Sequence, residues 1–317
     1  MDNTSTQGWA RRNLLKTGAL GGSAVAAGLL LPSSASARSA SPNVMQWFSA
    51  YFRDKSTADP DATMAHFSKR QLNYIDAILG WPFNTWQSLY DLFAEVMPNW
   101  PAGARSYPTR IIGDTTSAIV YFTNNAGLFG PSEMRSIGVV NFANGKATRW
   151  IDYWDGRHFG VADLERAKLP DDQFPADFRE STVGETAAPR IRQVAAQLNR
   201  ALAADDPASA TALFAPDASF VDLVSHIQVV GRRHIGSFLT GARGLLPGTG
   251  RGVKVRHVVG SNAGGGYEWT APGPVPRGVN TLELDDQGRI TSFASMWDGA
   301  RADDDHLLHL AAAAIER

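Results

Sequence analysis

Apolar side chains recur three and four residues apart in NVMQWFSAYFRDK (43–55) and again in RIRQVAAQLNRALAA (190–204). That spacing is the period of one helix face. A short second helix is predicted after each, running through Phe67 or Phe214. Next comes a short strand pattern, LNYIDA or ASFVDL, and then a third helix, TWQSLYDLFAEVM or RRHIGSFLTGA. The remainder of each half reads as strands. In the second half VKVRHVV, GGYEWTA, GVNTLELDD and RITSFASMWD are β-branched or alternating and are separated by turn residues. Helix, helix, strand, helix, then a long antiparallel run predicts an α+β fold.

The two halves share more than element order. NGKATRWIDYWDG ends at Gly156 and QGRITSFASMWDG ends at Gly299. Trp154 and Trp297 are 143 residues apart, and the strand-ending Asp76 and Asp222 are 146 apart. Two anchors at nearly one offset predict a tandem repeat of a whole domain. The first domain is read at 43–156, a proline- and charge-rich linker with one short helix at 157–188, and the second domain at 189–317.

Residues 1–37 stand outside this pattern. Arg11 and Arg12 precede the 13-residue apolar run ALGGSAVAAGLLL, and Ala-Ser-Ala ends at Ala37. A helix crossing a bilayer needs about 20 apolar residues. The segment is therefore read as a cleaved signal, and its paired arginines resemble a twin-arginine export signal. The expected location is extracellular, periplasmic or in the cell envelope, with no membrane attachment after cleavage.

Composition narrows the chemistry. The net charge is −1, or −3 once residues 1–37 are removed, which offers no basic field for nucleic acid. The chain has no cysteine, which leaves no disulfide, thiolate nucleophile or cysteine metal site. It carries neither a Gly-x-Ser-x-Gly elbow nor a dinucleotide-binding fingerprint. NAGGG (262–266) joins two strands and reads as a hairpin turn, and DDDHLLHL as the start of a last helix. No cofactor and no metal are expected.

Alternation along the last strand of each half separates the two copies. Side chains on a strand point to opposite faces with period two, so Trp150, Asp152 and Trp154 share one face. The second copy sets Phe293, Ser295 and Trp297 there, without a carboxylate. Six of the nine tryptophans lie in the first half, with Trp86 on the third helix. They fit either a core or the walls of a large apolar cavity for a flat ligand.

FAPDASFVD…GRRHIGSF followed by DQGRITSFASMWD resembles the nuclear transport factor 2-like superfamily, once per half. Its members include SnoaL-like polyketide cyclases, ketosteroid isomerases and limonene-epoxide hydrolases. The resemblance implies two cone-shaped domains, each a strongly bent, mostly antiparallel sheet wrapped around three helices. It also implies an internal pseudo-dimer. In such a cone the "yWD" tryptophan lines the cavity, so Trp150, Trp154 and Trp297 would contact substrate and Asp152 would point inward.

IGVVNFANGKATRWIDYWDGRHF resembles the limonene-epoxide hydrolase stretch ending in Trp-x-Asp-Tyr-Phe-Asp, whose first aspartate helps activate the attacking water. Asp152 stands at that position. The family's Tyr-x-Asn, which holds the same water, is matched by Tyr74 and Asp76, with aspartate for asparagine. Ketosteroid isomerases carry their general base at the place of Asp76, and in the second half at Asp222. The family's Arg-x-Asp pair has no counterpart in AIVYFTNNAG, which leaves Asp76, or Glu133 and Arg135 nearby, to supply a proton. The isomerase tyrosine falls at Leu198 and the isomerase acid at Asn280, with His226 and His257 as further pocket residues.

The expected function is carboxylate-driven acid–base chemistry on a small hydrophobic, polyketide- or terpenoid-like molecule. The reaction would be epoxide opening or a related cyclisation or isomerisation. Two alternatives remain open at this level. Asp152 could pair with an arginine such as Arg135 and only support the sheet, or the fold could bind a small molecule or partner without catalysis.

Overall fold

The computed structural model describes residues 39–315, and the export signal read at 1–37 lies outside them. Helix α1 (Pro42–Lys55) begins where Ser41 accepts a hydrogen bond from the Val44 amide and Pro42 occupies the first turn. Its buried residues are Val44, Phe48, Tyr51, Phe52 and Lys55, which form one continuous stripe. Asp59 caps α2 (Pro60–Met64). A reciprocal Thr85–Ser88 capping box opens α3 (Trp86–Val96), whose buried face is Leu89, Phe93 and Val96.

A sheet bends around these helices. Its strands are β1 (Asn73–Asp76), β2 (Pro82–Phe83), β3 (Ser106–Gly113), β4 (Ser117–Asn124), β5 (Met134–Ala143) and β6 (Lys146–Trp154), in the order β2-β1-β6-β5-β4-β3. Only β1 and β6 run parallel, with Tyr74 opposite Trp150 and Asp76 opposite Asp152. After α4 (Val161–Ala167) and α5 (Glu180–Val183) the plan repeats with α6 (Pro189–Ala203), α7 (Pro207–Ala212) and α8 (Arg232–Gly241). The second sheet comprises β7 (Phe214–Asp222), β8 (Ile227–Val230), β9 (Lys254–Ser261), β10 (Gly264–Thr270), β11 (Arg277–Leu284) and β12 (Ile290–Trp297), in the order β8-β7-β12-β11-β10-β9. Its single parallel pair sets Asp222 opposite Ser295. A last helix, α9 (Asp304–Ala313), follows. The chain is thus two tandem cone-shaped α+β domains. The sequence pattern did not foresee β2 and β8, because two and four residues are too short to show a period.

Both faces of β6 are buried, for different reasons. Trp150 and Trp154 belong to a core cluster with Phe48, Tyr51 and Phe93 inside the first cone. Ile151 and Tyr153 point the other way and join the core of the second half. The convex faces of the two sheets therefore pack on one another. Polar groups are sealed between them: Arg149 meets Glu268 at 2.6 Å, Tyr153 donates to Glu268 at 2.8 Å, and His257 meets Asn141 at 2.9 Å. Arg110 also pairs with Glu283, and Tyr121 with Thr281.

The Trp-Asp-Gly loops meet at this seam. A Cβ on Gly156 would lie 2.0 Å from the Asp298 Oδ1, and one on Gly299 would lie 2.5 Å from the Asp155 Oδ1. Each loop's glycine makes room for the other loop's aspartate. Asp298 is neutralised by Lys168 at 2.6 Å, and Asp155 by Arg157, which also donates to the Val224 carbonyl. The segment read as a linker lies along the seam as a strap. Asn73 and Arg149 both donate to the Phe178 carbonyl, at 2.8 and 3.1 Å, and Arg256 and Arg277 stack on Phe178 and Phe174.

Candidate active site

Asp152 projects from β6 onto the concave face of the first sheet and is 8 % exposed. Each of its oxygens accepts one hydrogen bond from a neutral donor. The Trp150 indole, two residues back on the same face, donates to Oδ1 at 2.6 Å, and the Tyr74 hydroxyl on β1 donates to Oδ2. The parallel β1–β6 register brings these three side chains together. Burial pushes the Asp152 carboxyl up from 3.8 to about 7. The two donors and the Lys55 ammonium oppose that rise, and the charge of Asp76 adds to it. Desolvation and the same carboxylate hold the Tyr74 and Tyr51 hydroxyls well above their usual range, so both stay protonated.

Asp76 is engaged differently. One oxygen accepts from the Ile78 and Leu79 amides at 2.9 and 2.8 Å, and the other from the Trp154 indole at 2.9 Å. Burial raises this carboxyl to about 6 against the pull of those three donors. Asp222 repeats the arrangement with the Val224 and Ser225 amides, the Ser225 hydroxyl and the Trp297 indole at 2.8 Å. An aspartate that ends the first strand and grips the tryptophan of the last is therefore common to both cones. It closes the turn and ties the parallel strands. Asp222, fully buried and hydrogen-bonded on both oxygens, presents no face to a ligand. Its assignment as a second general base is corrected to that of a strand clamp.

Other expectations also change. Trp150 is ringed by seven aromatic side chains with centroids 5.0–6.5 Å away. It is a packed core residue rather than the wall of an open cavity. Trp86 is half-buried away from the carboxylates: it stacks on Tyr90 at 5.1 Å, donates to the Met64 carbonyl and lies under Lys69. His226 is exposed in the β7–β8 turn with φ of 58°, so it does not line the second cone. His257 belongs to the seam between the sheets, where desolvation and the neighbouring Arg149 lower it to about 4. Arg135 is exposed and pairs with Glu133, which removes it as a partner for Asp152. In the second cone Asn280 donates to the Tyr267 hydroxyl at 2.8 Å, and Ser295 stands where the first cone has Asp152.

The sequence reading passes over Lys55. This residue ends the buried stripe of α1 and feels the charge of Asp152, and burial lowers its ammonium from 10.5 to about 8. The signal was a lysine falling in register with Phe48, Tyr51 and Phe52 on a face otherwise apolar.

No protein-family model and no curated protein matches this chain. Among solved structures it is similar to a nuclear transport factor 2-like protein of unknown function from Burkholderia xenovorans. The two are 17 % identical with a TM-score of 0.31 over 44 % of this chain and 91 % of that one. It is likewise similar to a nuclear transport factor 2-like protein of unknown function from Burkholderia pseudomallei, 19 % identical with a TM-score of 0.30 over 36 % and 92 %. A third is TerC co-crystallised with polyporic acid, 20 % identical with a TM-score of 0.32 over 39 % and 99 %.

Proposed function

We propose that the first cone is the active site of an acid–base enzyme acting on a small hydrophobic, polyketide- or terpenoid-like molecule. The single observation that carries this reading is Asp152. It is a buried carboxyl on the concave face, held by two neutral donors, and it changes charge near neutrality. A group poised there serves as base and then as acid. In epoxide opening the ionised carboxylate takes a proton from water or an internal hydroxyl as that oxygen bonds to a ring carbon. The ring C–O bond breaks, and the alkoxide then recovers a proton. In isomerisation the same carboxylate removes a proton beside a carbonyl and returns it to another carbon. Tyr74 fixes the orientation of the carboxylate, and Asp76 holds the strand end and raises Asp152 through its charge. The rival reading, a non-catalytic binding protein, draws its support from the hydrogen bonds that both oxygens of Asp152 already accept.

Assays of the purified protein against hydrophobic epoxides and enolisable ketones test this reading. Only the ionised form of Asp152 is a base, so kcat/KM should rise with pH along a limb with an apparent pKa of about 7. Saturable binding of the panel with no turnover at any pH would favour the binding reading.

We further propose export by the twin-arginine route. Replacing Arg11 and Arg12 with lysine should abolish secretion, measured by immunoblot of cell and medium fractions. Unchanged secretion would sink the assignment.

A further inference from the structure

One end of the first cone holds buried hydrogen-bond donors that are weakly met or, among the described residues, unpartnered. Lys55 is 3 % exposed, and among the described residues it forms no ion pair. Its ammonium lies over the rings of Phe122, Phe129 and Phe52 at 5.3, 5.4 and 5.9 Å. Its one hydrogen-bond partner, the Asn124 Oδ1, is 3.4 Å away and already accepts from Ser106 at 2.7 Å. Among the described residues the Asn124 Nδ2 is buried without a partner, and so is the Ser136 hydroxyl. Ser136 lies opposite Phe122 and Trp154, on the same face as Gly138, whose Cβ position abuts the Trp150 indole. The Trp100 indole meets Phe129 edge-on at 5.6 Å, and its buried Nε1 also lacks a partner.

Buried polar groups are costly unless hydrogen-bonded, and a buried cation more so unless its charge is met. The carboxylate that acts on Lys55 is Asp152, whose oxygens accept from Tyr74 and Trp150 and which among the described residues makes no hydrogen bond to the ammonium. A water molecule is neutral and accepts at most two hydrogen bonds, so it would leave the charge unmet and one of these donors unpaired. An electron-rich oxygen answers the ammonium, the amide and the hydroxyl together, and the surrounding rings suit a flat apolar body behind it.

We propose that Lys55, with Asn124 and Ser136, anchors the carboxylate or carbonyl oxygen of an aromatic or similarly flat ligand in the first cone. This inference rests on the reading of that cone as the ligand site. It adds a preference among substrates, since a carbonyl held by Lys55 develops its negative charge beside an ammonium when Asp152 removes the neighbouring proton. The C–H pair becomes a C=C bond, the C=O π pair moves onto the oxygen, the proton resides on Asp152, and the second half of the step restores the carbonyl as carbon takes the proton back.

Titration calorimetry of the purified protein with benzoate, acetophenone and toluene tests this inference. Benzoate or acetophenone should bind at least tenfold more tightly than toluene, and which of the two leads tells carboxylate from carbonyl. Lys55→Met should erase that preference by at least tenfold and leave toluene binding unchanged. Equal affinity for all three probes, no binding of any, or a preference that survives Lys55→Met in a folded protein overturns the proposal. The wild-type ratio requires no variant and decides alone if Lys55→Met fails to fold. Turnover of epoxides with a limb near pH 7 would still stand in that event, so the two readings fail separately.

Discussion

Replacing Asp152 with asparagine should lower turnover by about a hundredfold or more while leaving the fold intact. The amide has nearly the shape of the carboxyl, and its two faces suit the site. Its oxygen can accept from the Trp150 indole, and its NH₂ can donate to the Tyr74 hydroxyl, which then acts as acceptor. What is lost is the proton-binding group. Ser295→Ala, at the matching position of the second cone, should change turnover by less than about twofold. Steady-state kinetics on the best substrate from the panel, with a thermal melt of each variant, decides the matter. An Asp152→Asn protein of wild-type activity would remove acid–base catalysis from the first cone.

Replacing Glu268 with alanine should cost about 3–5 kcal/mol, a large share of the roughly 5–15 kcal/mol that holds a domain together. Glu268 and Arg149 are fully buried and 2.6 Å apart on the facing sheets of the two halves. The contact is a charge pair rather than an aligned hydrogen bond, yet the glutamate also accepts the Tyr153 hydroxyl at 2.8 Å. Its removal leaves the buried guanidinium with only the more distant Glu180 carboxylate at 3.8 Å, and the Tyr153 hydroxyl without its acceptor. Urea unfolding measures the loss. A double replacement, Arg149→Met with Glu268→Leu, should recover most of it, because the desolvation cost of both charges disappears together. A midpoint change worth less than about 1 kcal/mol in Glu268→Ala would mean that the pair carries no such weight.

The helices were legible because their buried stripes are regular, and the two-cone plan because the Trp-Asp-Gly ending is spelled twice. Alternation alone put Asp152 beside Trp150 and Trp154. The failures have physical causes. Lys55 was hidden because a cation in the last turn of a helix is favourable on electrostatic grounds wherever it points, as Arg53 beside it illustrates. Asp76 and Asp222 look like general bases because the isomerase resemblance places its base at both positions. What the letters omit is that each is consumed by two backbone amides and an indole. His226 was expected to face the second pocket, yet it lies exposed in the β7–β8 turn and itself adopts the left-handed conformation. Arg149 and Glu268 lie 119 residues apart, and neither strand pattern names the other as its partner.

The interlocked Trp-Asp-Gly loops bear on why the chain repeats itself at all. Each half is at once key and lock for the other: Gly156 is the notch for Asp298, and Gly299 the notch for Asp155. A side chain grown in either notch would evict a carboxylate from the opposite half and unseat the lysine or arginine that neutralises it. The tripeptide can drift in one half only if the other drifts to match, so its two spellings are yoked. Position 152 and its counterpart Ser295 face separate interiors and meet no such partner. There the halves were free to part, and one of them carries the carboxylate alone.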